Sequence, residues 1–372
     1  MRRHIVAKYE PSHLKEMNTK IIYQEFLKQE SLFVKEIARI TKISVPTVMK
    51  VTEFLLEKKL IEGQECTTTQ VGRKPHMLRL NVDEYFSIGI IYEGDYLHVG
   101  LVDLKGKVRN IIQVRCGQYF ETSVFEHIDE LLKASEKSVE DIIGIGIGMP
   151  CIFKPEKKEI IAPLIGITES EYFGDFMDSL AEKYQAKVVV ENDLNIQAFG
   201  EFASGDHITT KDMIFMSLGT GFGAGLIING KVRKGAQNLC GEIGYMMFEY
   251  SENKTTSGWL EEQINLRALM EKFGVSEMAN NKQRRADAIE YVSKYLALVV
   301  NNLIFSLDVK DVVLDGQVIS LLGDGIIEET QLKLDRICFS PIKIRKKSTA
   351  FPGISGGGLL ASSLWLDELF KQ

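Results

Sequence analysis

Cysteine, tryptophan and proline are scarce in this 372-residue chain, which has 5, 2 and 8 of them. The cysteines (Cys66, Cys116, Cys151, Cys240 and Cys338) are odd in number, scattered, and form no CxxC pair. That argues against a disulfide framework and fits a reducing cytoplasm. No stretch approaches the roughly 18 uninterrupted apolar residues a bilayer-spanning helix needs, so no membrane association is expected. Met1-Arg2-Arg3-His4 leads into Lys8, Glu10 and Lys15 rather than an apolar segment, which speaks against a secretory signal. Low-complexity tracts and long linkers are missing too. What is present is a globular balance, 45% hydrophobic and 26% charged, in a length that suits two or three domains.

The net charge of −6 is unevenly spread. Residues 1–80 hold 15 Lys+Arg against 9 Asp+Glu, a net +6, which leaves −12 for the rest. A basic head on an acidic body points to a nucleic-acid-binding module joined to something else. The head reads as three helices and a ribbon. Met17 to Gln29 has one apolar face, Val34, Ile37 and Ala38 mark a short second helix, and Ser44 suits the N-cap of a third with Pro46 in its first turn. Leu60 to Gly63 and Met77 to Leu80 read as strands around a polar loop containing Gly72-Arg73-Lys74-Pro75. Helix, four-residue turn and helix give the spacing of a helix-turn-helix, and the ribbon makes it winged. Ser44, Thr47 and Lys50 fall on the outward side of the third helix, where they would reach base edges and phosphates. Arg73 and Lys74 would sit at the wing tip, with Thr67 to Thr69 and His76 nearby. The head is expected to hold a small core of its own. A protein-interaction module of the same pattern is the alternative.

Past Asn81 the pattern becomes α/β. Strands are expected at Phe86 to Ile91, Leu97 to Asp103 and Val108 to Val114. A helix follows near Val124 to Lys137, then a buried strand Asp141 to Gly148, a helix Tyr172 to Tyr184 and a strand Ala186 to Val190. A second meander, at Met213 to Ser217, Gly223 to Ile228 and Lys231 to Arg233, repeats the first. Helix Ala286 to Phe305, strand Asp311 to Leu314 and a last helix from Gly357 to Leu369 complete the chain. Two halves that both open with a meander suggest an internal duplication.

The run Gly219-Thr220-Gly221-Phe222-Gly223-Ala224-Gly225 follows a strand, and its backbone N–H groups could cradle phosphate or merely serve a tight turn. Taken with Gly144-x-Gly-x-Gly148-x-Pro150, Glu191-Asn192-Asp193, Gly241-Glu242-Ile243-Gly244 and the winged head, it resembles the ROK family of repressors and sugar kinases over nearly the whole chain. The likeness is to its branch of sugar-responsive repressors of the xylose and N-acetylglucosamine type. The resemblance implies a winged helix-turn-helix (1–82) ahead of a two-lobed, actin-like and ribonuclease H-like duplicated body. The first lobe would span 83–190 and the second 191–372, with the C-terminal helix returning to the first. It further implies that Asn192, Asp193, Glu242 and Glu261 hydrogen-bond a sugar between the lobes. In the family's kinases the Asp at the position of Asp193 is also the base.

Departures from the kinase pattern matter as much. Ile91 stands where the kinases carry a metal-binding Asp, and Glu93 where they carry Gly. Isoleucine cannot organise Mg²⁺, and a glutamate repels a triphosphate. ATP is therefore not expected, and Gly219, Thr220, Gly221 and Gly223 are read as a vestigial phosphate loop. The family's zinc site is expected to be lost as well, since Tyr245 replaces its His and 249–259 contains no cysteine. Tyr245 could touch ligand or pack in the core, Trp259 could stack on sugar or brace the loop, and Glu242 could bind ligand or cap a helix. Met246-Met247-Phe248 reads as core. The leading expectation is a non-enzymatic, homodimeric, cytoplasmic repressor that binds operator DNA and a sugar or sugar phosphate. A sugar kinase with a DNA-binding head and an interaction protein with a dead sugar site are the alternatives.

Overall fold

The computed structural model describes residues 11–64, 77–93, 96–116, 119–204, 211–250, 252, 258–274, 278 and 280–372. Its head comprises α1 (Pro11–Lys28), α2 (Val34–Thr41), α3 (Val45–Glu57) and an antiparallel ribbon of β1 (Ile61–Gln64) and β2 (Met77–Leu80). Lys42, left-handed at φ 61°, ends α2, and the Ser44 hydroxyl accepts the Thr47 N–H at 3.4 Å to begin α3. Helix α1 begins six residues before the apolar pattern does, because its first turns carry Leu14 and Met17 into solvent.

The expectation of a self-contained head core is overturned. Ile22, Phe26, Ile37, Val48 and Leu55 share one cluster with Leu104, Ile143, Leu366, Leu369 and Phe370 of the body. Three short helices have too little apolar surface to bury one another, so they borrow some. The Tyr23 and Phe370 rings meet edge-on at 5.4 Å, and Lys20 pairs with Asp367 at 2.8 Å.

Two five-stranded sheets form the body. The first contains β3 (Phe86–Glu93), β4 (Tyr96–Asp103), β5 (Val108–Arg115), β6 (Ile142–Met149) and β10 (Lys187–Asn192), in the order β10-β6-β3-β4-β5. The second contains β11 (Met213–Leu218), β12 (Phe222–Ile228), β13 (Lys231–Val232), β14 (Asp311–Asp315) and β15 (Lys343–Lys346), in the order β13-β12-β11-β14-β15. Each is an antiparallel meander followed by two parallel strands beside the first meander strand. The repeat seen in the sequence is thus a repeat of topology. A small antiparallel sheet of β7 (Ile152–Lys154), β8 (Glu159–Ala162) and β9 (Ile167–Tyr172) extends the first lobe.

Helices α4 (Phe120–Ala134) and α5 (Gly174–Tyr184) cover the outer face of the first sheet. The second is backed by α9 (Lys282–Leu307), α10 (Gln317–Leu322) and α11 (Asp324–Ile337). Helix α9 is long and apolar enough to span a bilayer by length and composition, and its Val292, Leu296, Val299, Val300 and Leu303 lie in the lobe core. Two further helices, α7 (Trp259–Ile264) and α8 (Leu266–Phe273), precede it.

Between the sheets run α6 (Asp193–Ser204) and α12 (Pro352–Leu369), packed on each other, α12 against β3 and β6 and α6 against β11 and β12. In β6 the outward residues are Ile145 and Ile147, while Gly144, Gly146 and Gly148 face inward. A Cβ on Gly146 would overlap the backbone of Gly357, so the helix rests on the bare strand. Glu201 locks this layer. It is fully buried, ion-paired to Arg345, and accepts the Ser348 and Thr349 N–H groups, each at 2.9 Å.

Candidate functional site

Asn192 and Asp193 stand where β10 ends and α6 begins. The Asn192 Oδ1 accepts the N–H of Leu194 at 3.0 Å and of Asn195 at 3.3 Å, so it caps α6, while Nδ2 donates to the Cys151 carbonyl at 3.3 Å. Glu191 lies just behind, accepting from the Asn192 N–H and Asn195 Nδ2, both at 3.0 Å, and ion-paired to Lys234. These bonds fix the direction in which Asp193 leaves the helix terminus. Its carboxyl is pushed up to about 7, first by burial and then by the charges of Glu93 and Glu242.

The glycine loop joins β11 to β12, with the Gly219 N–H donating to the Gly221 carbonyl at 2.8 Å. Glu261, on α7, turns into it, and its Oε2 accepts the Phe222 N–H at 2.9 Å. Gly241 has φ 100° and its carbonyl receives the Ala224 N–H at 2.8 Å, which seats the Gly241–Gly244 segment over β12. Glu242 precedes a short 3₁₀ turn, Ile243–Tyr245, without capping it through its side chain. It is exposed along part of its length, while its carboxyl is pushed up by desolvation first and by Glu261 second. The charges of Glu93, at the end of β3, and of Glu242 thus act on Asp193, and that of Glu261 acts on Glu242. Such a site offers acceptors to hydroxyl groups.

Tyr245 is 56% exposed, which removes the reading of a core aromatic. Trp259 packs edge-on to Phe248 and Tyr295 and against the core of the second lobe, so at least part of its ring is a packing surface. In the run after Tyr245, Met246 and Phe248 pack on the core, whereas Met247 is exposed. Ile91 is buried against Ile196, Ile354 and Val102, a packing point with no group to hold Mg²⁺. The residues present do not fit a metal-bound nucleotide at this strand, and with the Phe222 N–H bonded to Glu261 the loop has one donor fewer to offer phosphate. Among the described residues no group of three His, Cys, Asp or Glu side chains is placed to hold a metal ion, and residues 251 and 253–257 of the segment 249–259 lie outside them. Sequence reasoning missed Lys234 and the approach of Glu93 to Asp193, since neither carries a local signal. On the head, Ser44 and Lys50 are exposed and Thr47 is half-buried, its hydroxyl 2.8 Å from that of Ser44. Arg73 and Lys74 lie outside the described residues.

Residues 87–343 match the ROK family. The chain belongs to that family. It is similar to the xylose repressor of Bacillus subtilis (strain 168), 24% identical over 324 residues that cover 82% of this chain and 83% of that one. Among solved structures of ROK proteins, a ROK family transcriptional regulator described as a homolog of the Escherichia coli MLC protein superposes with a TM-score of 0.78. It is 17% identical and covers 96% of this chain and 98% of its own. A ROK hexokinase from Thermus thermophilus superposes with a TM-score of 0.63 at 20% identity, covering 75% of this chain and 98% of its own.

Proposed function

We infer that this ROK protein is a sugar-responsive transcriptional regulator, a repressor of carbohydrate-utilisation genes. Its head acts as a winged helix-turn-helix on operator DNA, and a sugar binds between the lobes of an actin-like body. One observation carries this reading. The ROK regulator structure covers 96% of the chain and the ROK hexokinase 75%, a difference of about a fifth, which is the size of the head. The exposed Ser44 at the start of α3, the exposed Lys50 within it and the basic charge of the head support DNA as its partner. A two-fold dimer in the cytoplasm would present two heads to a palindromic operator.

Neither zinc nor ATP has a part in this reading. A sugar kinase with a DNA-binding head is the second reading, favoured by Asp193, whose raised carboxyl suits a general base. Ile91 and Glu93 weigh against it, because phosphoryl transfer needs a metal-bridged, charge-neutralised phosphate.

Selection of bound duplexes from a random pool by the full chain, followed by anisotropy titration, tests the assignment. We expect a palindromic sequence, and Arg73→Ala or Lys50→Ala should weaken binding and lower the salt slope by about 1. A sugar panel should release the duplex from wild type but not from Asp193→Ala. ATP-dependent turnover of any hexose, lost in Asp193→Asn, would establish the kinase reading instead.

A further inference from the structure

The outer surface of α3 changes character along its length. The helix buries Val48, Val51, Thr52 and Leu55 in the head. At about 100° per residue, Val45 and Met49 fall roughly 40° apart on one flank, outside that buried stripe. They are 41% and 48% exposed. Ser44, which caps the helix, and Lys50 are exposed as well. From Ile37 to Thr52 the chain carries Arg39, Lys42 and Lys50 and no carboxylate, and all three cations are exposed. Acidic residues return at Glu53 and Glu57, both exposed, in the second half of the helix. Phosphates are repelled by that half and drawn to the first. The half of α3 that a duplex can approach therefore opens two apolar side chains to solvent among cations.

We propose that Val45 and Met49 are specificity-determining residues, and that they read the 5-methyl group of thymine in the major groove. The inference rests on the operator-binding reading above and names the base that α3 selects. A helix-turn-helix sets the N-terminal residues of its second helix against base edges. The valine side chain has no donor or acceptor and the methionine only a weak acceptor, so neither suits a hydrogen-bonding pattern. The apolar feature that the groove displays is the thymine methyl. Cations on phosphates fix the helix in place but carry no sequence information, which leaves discrimination to the groups between them. Burying one methyl group is worth about fourfold in affinity, hence about fifteenfold over the two half-sites of a palindrome.

Replacing thymines by deoxyuridine, which lacks only the 5-methyl group, tests this on the duplex selected by the full chain. Pairs related by the two-fold are replaced one pair at a time, and binding is followed by anisotropy. For wild type, at least one pair should weaken binding about fifteenfold. The double variant Val45→Ala with Met49→Ala, at exposed positions where alanine favours the helix, should bind both forms of that duplex within about twofold of each other. Its salt slope should match wild type, unlike that of Lys50→Ala, because no phosphate contact is lost. Half-sites without thymine, or a series in which no replacement weakens wild type more than about twofold, would overturn the proposal and leave operator binding standing. So would a ratio as large in the double variant as in wild type, since another side chain would then sense the methyl. Failure of the full chain to retain any duplex would overturn the operator reading and the proposal with it.

Discussion

The two body sheets share one strand order, yet they meet their inner helices by different means. The first presents Gly89, Gly144 and Gly146 to α12, whose own Gly357 returns the contact backbone to backbone while Gly356 faces Ile196 and Gly200 of α6. The second presents the side chains of Met213, Phe215, Ile227 and Val313 to the Ala198 side of α6. Side chains can shift rotamer and refill space, but a backbone resting on a backbone has no such freedom. The first lobe is thus built to hold α12 in one register, while the second tolerates repacking. Toward the cleft the second sheet also turns to glycine, at Gly225 beneath Leu194. Precision is concentrated where α6 starts.

Gly146→Val should break this contrast most sharply. Its side chain would overlap the Gly357 backbone, which cannot move aside, so the variant should lose more than about 3 kcal/mol or fail to fold. Met213→Leu, equally buried on the facing sheet, should cost less than about 1.5 kcal/mol in chemical unfolding. Equal losses at the two sites would erase the distinction.

Next in size is Phe370→Ala, which asks whether the fixed helix also holds the head. Phe370 is 4% exposed and meets Tyr23, so about 3 kcal/mol should be lost, with the head becoming cleavable by protease before the body. Lys20→Ala, which removes the half-exposed pairs with Asp367 and Glu16, should cost less than about 1 kcal/mol. If Lys20→Ala matched Phe370→Ala, the docking would be ionic rather than apolar.

The smallest effect should come from Asp193→Asn at the cleft end of α6. With the folded carboxyl at about 7 and the ordinary value 3.8, the folded chain holds a proton that the unfolded chain releases. Stability contributed by that proton is present near pH 4 and is lost as pH rises toward 7. The charges of Glu93 and Glu242 act on the group, and its own charge, with those of Glu191 and Lys234, acts on Cys151. The asparagine variant escapes the loss, so its melting temperature should exceed wild type by roughly one to three degrees at pH 8 and by little at pH 4.5. A constant difference across that range would place the burden on something other than this carboxyl.

The strands of the first sheet were legible in the sequence to within two residues, because isoleucines and glycines alternate with the pleat. Helix α6 was not. Its Asn195, Ile196, Ala198, Gly200 and Glu201 are buried on more than one side, so no polar stripe marks a helical period. Helices α7, α8, α10 and α11 are eight residues or fewer except α11, and β7 to β9 carry too short an alternation to stand out. Within the site, Asp193, Glu242 and Glu261 were reachable through family resemblance, and Glu93 was legible as a departure from it. The approach of Glu93 to Asp193 belongs to the fold alone, because it depends on β3 and β10, about a hundred residues apart in the chain, lying on either side of β6 in one sheet.

Helix α12 is synthesised after every element it packs against. Until it emerges from the ribosome, the glycine face of β3 and β6 stays bare and the head lacks Leu366, Leu369 and Phe370 from its core. Domains that complete themselves can fold in turn during translation. Here the head and both lobes wait on the same late segment, so a chain interrupted shortly before it should reach neither a packed head nor a finished body, and the cell would meet all three as one unfinished client.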